Sequence, residues 1–138
     1  MRTALVESYP AVPEAIGRAR RAVEGFVRAC GAHDDAASRV ALAVSEACTN
    51  VVLHAYLEYV QAGAFHVSAE LVEDDGDGAL RVTVADDGRG MRPHLDSPGA
   101  GLGMPIIAQT ADVFEVRSRA AGGTELCMRF RMGFHSGG

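Results

Sequence analysis

Glu46, Asn50 and His54 stand four residues apart, so on a helix they form one polar stripe. At about 100° per residue that stripe lies roughly 50–130° from the centre of the apolar face, on its buried flank. A carboxylate, an amide and an imidazole where packing prefers apolar groups are a local inconsistency of the kind that marks working sites. A hydrogen-bonded helix flank produces the same pattern. A second constellation is Asp86-Asp87-Gly88-Arg89-Gly90, directly after the apolar run Val82-Thr83-Val84-Ala85. A buried aspartate at a strand end can accept a hydrogen bond from an exocyclic amine. Gly88 and Gly90 allow the backbone close to a flat ligand. The alternative is a plain Asp-Gly turn. Third, Gly99-Ala100-Gly101-Leu102-Gly103-Met104 precedes a short helical segment, where bare backbone N–H groups and the helix dipole can hold phosphates. Its alternative is a flexible linker. Gly122-Gly123-Thr124 by itself says only hairpin turn.

The elements that must position these groups are legible from periodicity. Residues 3–8 predict a short edge strand closed by Tyr9 and Pro10. Pro13 opens a helix over 14–30, with Ile16, Ala19, Val23, Phe26, Val27 and Cys30 at helical spacing and Gly31 as the terminating residue. A second helix over about 36–56, capped by Asp34 or Asp35, turns Val40, Val44, Ala47 and Val51 to the core. Phe65, Val67, Ala69 and Leu71, then Leu80, Val82 and Val84, alternate with polar residues around an Asp/Gly-rich turn and predict a hairpin. Residues 87–103 hold five glycines and two prolines and predict a mobile loop feeding a short helix over 104–110. Two strands follow over 113–119 and 124–132, the last with Leu126, Met128, Phe130 and Met132 on one face. This order predicts an α+β two-layer sandwich, a mostly antiparallel sheet with its helices on one face. Residues 1–132 form one domain in this reading, and 133–138 a disordered tail.

Composition narrows the chemistry. The chain has 138 residues, 48% hydrophobic and 22% charged, enough for one core without disulfide or structural metal. Thirteen basic against 18 acidic residues give −5, the wrong sign for affinity driven by nucleic-acid phosphates. All the basic residues are arginine, which removes P-loop chemistry, Schiff-base chemistry and any kinase mechanism built on a phosphate-binding lysine. Cys30, Cys48 and Cys127 lack C-x-x-C spacing and read as reduced core thiols. No basic start followed by an apolar run, and no uninterrupted apolar run of about 18 residues, points to a membrane. A cytoplasmic protein without direct nucleic-acid or membrane contact is the expectation.

Taken in order, Glu-x-x-x-Asn on a helix, Asp-x-Gly-x-Gly after a strand, Gly-x-Gly before a helix and Gly-Gly-Thr before the last strand resemble the GHKL ATPases, from about residue 9 to 132. Ala41-Leu42-Ala43-Val44-Ser45-Glu46-Ala47-Cys48-Thr49-Asn50 and Gly101-Leu102-Gly103-Met104 are most similar to its short stand-alone branch, the anti-sigma factor serine kinases. The resemblance implies a histidine-kinase-like ATPase fold that binds Mg-ATP and phosphorylates a serine or threonine of an anti-anti-sigma partner of STAS type. The same resemblance implies that it sequesters a sigma factor and works as a homodimer. It makes Glu46 the general base and Asn50 the Mg²⁺ ligand. Asp86 would take the adenine amine, with Gly88 and Gly90 making room and Thr124 assisting. Gly101, Leu102, Gly103 and Met104 would wrap the phosphates, His54 would pack or hydrogen-bond beside the nucleotide, and residues 91–100 would be the lid. Ala100 stands where the family often has arginine, which leaves Arg92 and His94 as polar lid candidates. His33, His66, His94 and His135 lie outside any phosphoacceptor-helix context, which argues against histidine autophosphorylation. The competing expectations are a non-catalytic module that uses nucleotide as a conformational cofactor and a simple ATP-hydrolysing regulator.

Overall fold

The computed structural model describes residues 4–58, 63–74, 77–86, 103–120 and 123–132. The loop over 87–102, including the expected lid, and the tail over 133–138 lie outside the described residues. The chain runs β1(Ala4–Pro10), α1(Pro13–Ala29), α2(Asp34–Glu58), β2(Ala64–Asp74), β3(Asp77–Asp86), α3(Gly103–Thr110), β4(Val113–Ser118), β5(Thr124–Arg131). The five strands form one sheet in the order β1-β2-β3-β5-β4, and all four pairings are antiparallel.

Alternation decides which face is covered. Leu80, Val82 and Val84 of β3 stand opposite Phe130, Met128 and Leu126 of β5, and all six are buried. Phe65, Val67 and Ala69 of β2 continue the same surface. Helices α1 and α2 pack together over it, with α3 against α2 and β4. The opposite face is polar: Glu70 accepts from Arg81 at 3.0 Å, and Arg117 Nε donates to Glu115 at 3.0 Å. Polar residues at every second position keep that face in water, so the architecture is two layers.

Three boundaries differ from the periodicity, each for a local reason. Strand β1 runs on through Tyr9 and Pro10, which pair with Phe65 and Ala64. The Tyr9 ring stacks on Phe65 at 5.5 Å between centroids, and a proline at the end of an edge strand removes no ladder bond that matters. Helix α1 buries Ala15, while Ile16 and Cys30 are only half-buried, because its contact stripe is centred on Ala15, Ala19, Val23, Phe26 and Val27. Helix α2 begins at Asp34, with the Ala37 N–H bonded to the His33 carbonyl at 2.9 Å. That bond puts His33 at the cap position, and Asp34 and Asp35 fall inside the first turn, where they favour the helix dipole without capping it. Arg28 bridges Glu24 and Asp34, tying the end of α1 to the start of α2.

Between those helices Gly31 has φ of +95°. Gly31 N–H bonds the Arg28 carbonyl at 3.0 Å and Ala32 N–H the Val27 carbonyl at 3.3 Å, a Schellman closure that needs the left-handed residue. The chain can then turn sharply into α2, which is buried around most of its circumference: Ala36, Ala37, Ala43 and Cys48 join Val40, Val44, Ala47 and Val51. By length and composition alone, Asp34–Leu53 could cross a membrane, but 61% of its apolar window is buried inside this domain. It is the spine of the core.

Burial pushes the Cys48 thiol up to about 12 from an ordinary value of 9.0. A thiol whose folded value is raised holds its proton longer in the folded state, so this contribution to stability is complete below pH 9 and is lost as pH climbs toward about 12. Urea unfolding should therefore show a stability loss above pH 9 that Cys48→Ala flattens, and native protein should leave Cys48 unalkylated at pH 8. Modification of Cys48 in the folded state would contradict that burial.

Candidate functional site

Among the described residues, the polar or charged side chains that are buried are Asn50, Asp86 and Thr124, at 3%, 5% and 5% exposure. All three were singled out by sequence. Asn50 comes from α2, one turn after Glu46, which is half-buried. Asp86 ends β3, and Thr124 starts β5. Pairing of β3 with β5 sets Asp86 beside Thr124 at one end of the sheet, and Asn50 comes from the helix layer, where α2 packs on β3 and α3.

The Asn50 Nδ2 atom is buried and has no hydrogen-bond partner in the structure. Leaving such an atom unsatisfied costs about 1–3 kcal/mol, which a core does not carry without reason. The oxygen and nitrogen of a buried amide are interchangeable by rotation, so this end of the side chain can equally present an oxygen. Oxygen is the donor a hard divalent cation prefers.

The end of β3 is built with equal care. Gly123 has φ of +92°, and a Cβ there would overlap the Asp86 carbonyl oxygen and lie 3.2 Å from its Oδ1. Arg119 Nη1 donates to the same Asp86 carbonyl at 2.8 Å, and the Arg119 N–H donates to the Gly123 carbonyl at 3.0 Å. Sequence reasoning passed over Arg119, whose only signal is a lone charge in the turn between two strands. It also took Gly123 as simple turn chemistry, although the contact with Asp86 depends on its missing side chain.

Helix α3 opens at Gly103, and Met104 is its second residue. Pro105 occupies its first turn, and Ile107 anchors it in the core against α2. His54 lies in the last two turns of α2. Gly88, Gly90, Gly101 and Leu102 fall outside the described residues.

A five-stranded antiparallel sheet covered on one face by helices defines the class as a two-layer α+β sandwich. The chain belongs to the histidine kinase-like ATPase domain family, whose model matches residues 9–130. It is 32% identical over 125 residues to a serine-protein kinase RsbW of Halalkalibacterium halodurans, covering 80% of this chain and 73% of that protein. It is 30% identical over 124 residues to an anti-sigma F factor of Clostridium beijerinckii, covering 80% of this chain and 82% of that one. Among solved structures, one of the RsbU and RsbW domains of Rv1364c from Mycobacterium tuberculosis superposes with a TM-score of 0.72 at 24% identity. That match covers 95% of this chain and 33% of the other, and it shows the shared fold.

Proposed function

We propose that the chain is an ATP-dependent protein serine/threonine kinase of the anti-sigma type, which holds a sigma factor and is released through a small anti-anti-sigma partner of STAS type. Family membership supports ATP as the nucleotide, and the relatives named serine-protein kinase and anti-sigma F factor support the activity and its partners. The observation that carries the site reading is that Asn50, Asp86 and Thr124 are the polar or charged side chains buried among the described residues.

In this reading Asp86 accepts the adenine amine, Thr124 adds a hydroxyl beside it, and Gly88 and Gly90 leave room for the ring. Gly101, Leu102, Gly103 and Met104 surround the phosphates at the start of α3, with His54 packing or hydrogen-bonding nearby. Asn50 offers its side-chain oxygen to Mg²⁺, which when bound neutralises phosphate charge. Glu46 accepts the proton of the partner's serine or threonine hydroxyl. The hydroxyl oxygen bonds to the γ-phosphorus as the bond to the β–γ bridging oxygen breaks, and ADP leaves. Activity in the cytoplasm as a homodimer is part of the same proposal.

Incubation with ATP labelled at the γ-phosphate and a panel of STAS-type proteins should transfer label to a serine or threonine of one of them. Nucleotide binding with no transfer to any acceptor would favour a non-catalytic module. Release of labelled inorganic phosphate without an acceptor would favour a simple ATPase.

A further inference from the structure

We propose that Arg119 is a positioning residue for purine recognition: it fixes the peptide that carries Asp86 and so sets the aim of that carboxylate. The inference rests on the reading that Asp86 receives the adenine amine. The last β3–β5 pair is Ala85 with Glu125, and the last β4–β5 pair is Ser118 with Thr124. Arg119 and Gly123 therefore lie just past the ends of their ladders, and Asp86, still paired with Phe65 of β2, lies one residue past the last β3–β5 pair.

Two contacts take over there. The Arg119 guanidinium bonds the Asp86 carbonyl at 2.8 Å, while its own N–H bonds Gly123 at 3.0 Å. Gly123 in turn lies with its Cα against that same Asp86 carbonyl. The three residues close a ring of contacts around one peptide group, with a charged donor at its centre. Arginine suits this role because its guanidinium is always charged and its planar fork loses little freedom per bond formed. It also brings positive charge to the peptide of a buried carboxylate, which a buried anion requires. Displacing the carboxylate by a few tenths of an ångström would weaken the bond to a 6-amino group and leave the rest of a nucleotide's contacts in place.

The test compares ATP with purine riboside triphosphate, which lacks the 6-amino group, by calorimetric titration in the presence of magnesium. Wild-type protein should prefer ATP. Arg119→Met, which keeps the apolar stem and removes the donor, should bind ATP about tenfold more weakly and the analogue nearly unchanged, so discrimination collapses. Arg119→Lys should recover part of the preference. Asp86→Asn should lose the preference by itself, and adding Arg119→Met to it should cost little more if both act through one carboxylate. An Arg119→Met protein that discriminates like wild type would overturn the role of Arg119, as would equal weakening toward both nucleotides, which signals a general structural effect. Wild-type protein that binds both nucleotides equally well would instead fault the Asp86 reading on which the inference rests.

Discussion

Replacing Glu46 with alanine is expected to lower phosphoryl transfer by about 10²–10⁴-fold, the span over which a positioned proton acceptor acts. ATP affinity should stay within a few-fold of wild type, because in the proposed reading Glu46 serves the attacking hydroxyl and holds neither base nor phosphate. Its half-buried position one turn from Asn50 puts a carboxylate beside the amide without adding to the core. Single-turnover transfer of label, measured beside equilibrium binding, separates the two effects. Glu46→Gln is the informative companion, since it preserves volume and hydrogen bonding and removes only the basicity. Transfer at the wild-type rate in both variants would take Glu46 out of the reaction.

Among the glycines whose surroundings are described, Gly123 is where a single added methyl group should be most damaging, as Gly123→Ala. The positive φ alone costs an alanine about 1–2 kcal/mol. The added Cβ would overlap the Asp86 carbonyl oxygen and come within 3.0 Å of its carbonyl carbon, so the relief must come from backbone. A displaced β3 terminus moves Asp86 and frees Arg119, so stability and nucleotide affinity should fall together. A total loss of about 2–4 kcal/mol is expected, read as a lower thermal midpoint, with ATP binding weakened at least tenfold. An alanine variant with wild-type midpoint and affinity would mean that the end of β3 yields freely. At Gly31, which also has positive φ but where a Cβ meets nothing within 4 Å, the same change should cost only the conformational part.

How much of this was readable beforehand depends on the range of the interaction. Period-two alternation gave the inner faces of β2, β3 and β5 correctly, because one covered face forces it. Helical spacing gave the buried stripe of α2 in the same way, but not its full width, which comes from α1 and α3 packing on its flanks and leaves Leu42 and Leu53 exposed. The capping of α2 was misjudged because the His33 carbonyl takes the first bond of the helix, while the exposed Asp34 side chain pairs with Arg28 of α1. Within the site, Asn50 could be found from its place on the flank of an apolar helix face and Asp86 from its place at a strand end before spaced glycines, whereas Thr124, in a stretch that by itself says only turn, came from the family resemblance. Arg119 was not visible. Its importance lies in reaching Asp86, 33 positions earlier in the chain, and strand order alone makes that meeting possible.

The burial of α2 has a consequence for where motion can occur. The helix that bears Glu46 and Asn50 is also the member most deeply locked between its neighbours, so it cannot swing or slide without melting the interior. A stationary anvil of this kind leaves adjustment to the incoming substrate and to the peripheral parts around it. Any signal that switches the protein on or off is then expected to act on the parts around that helix and to leave the helix itself in place.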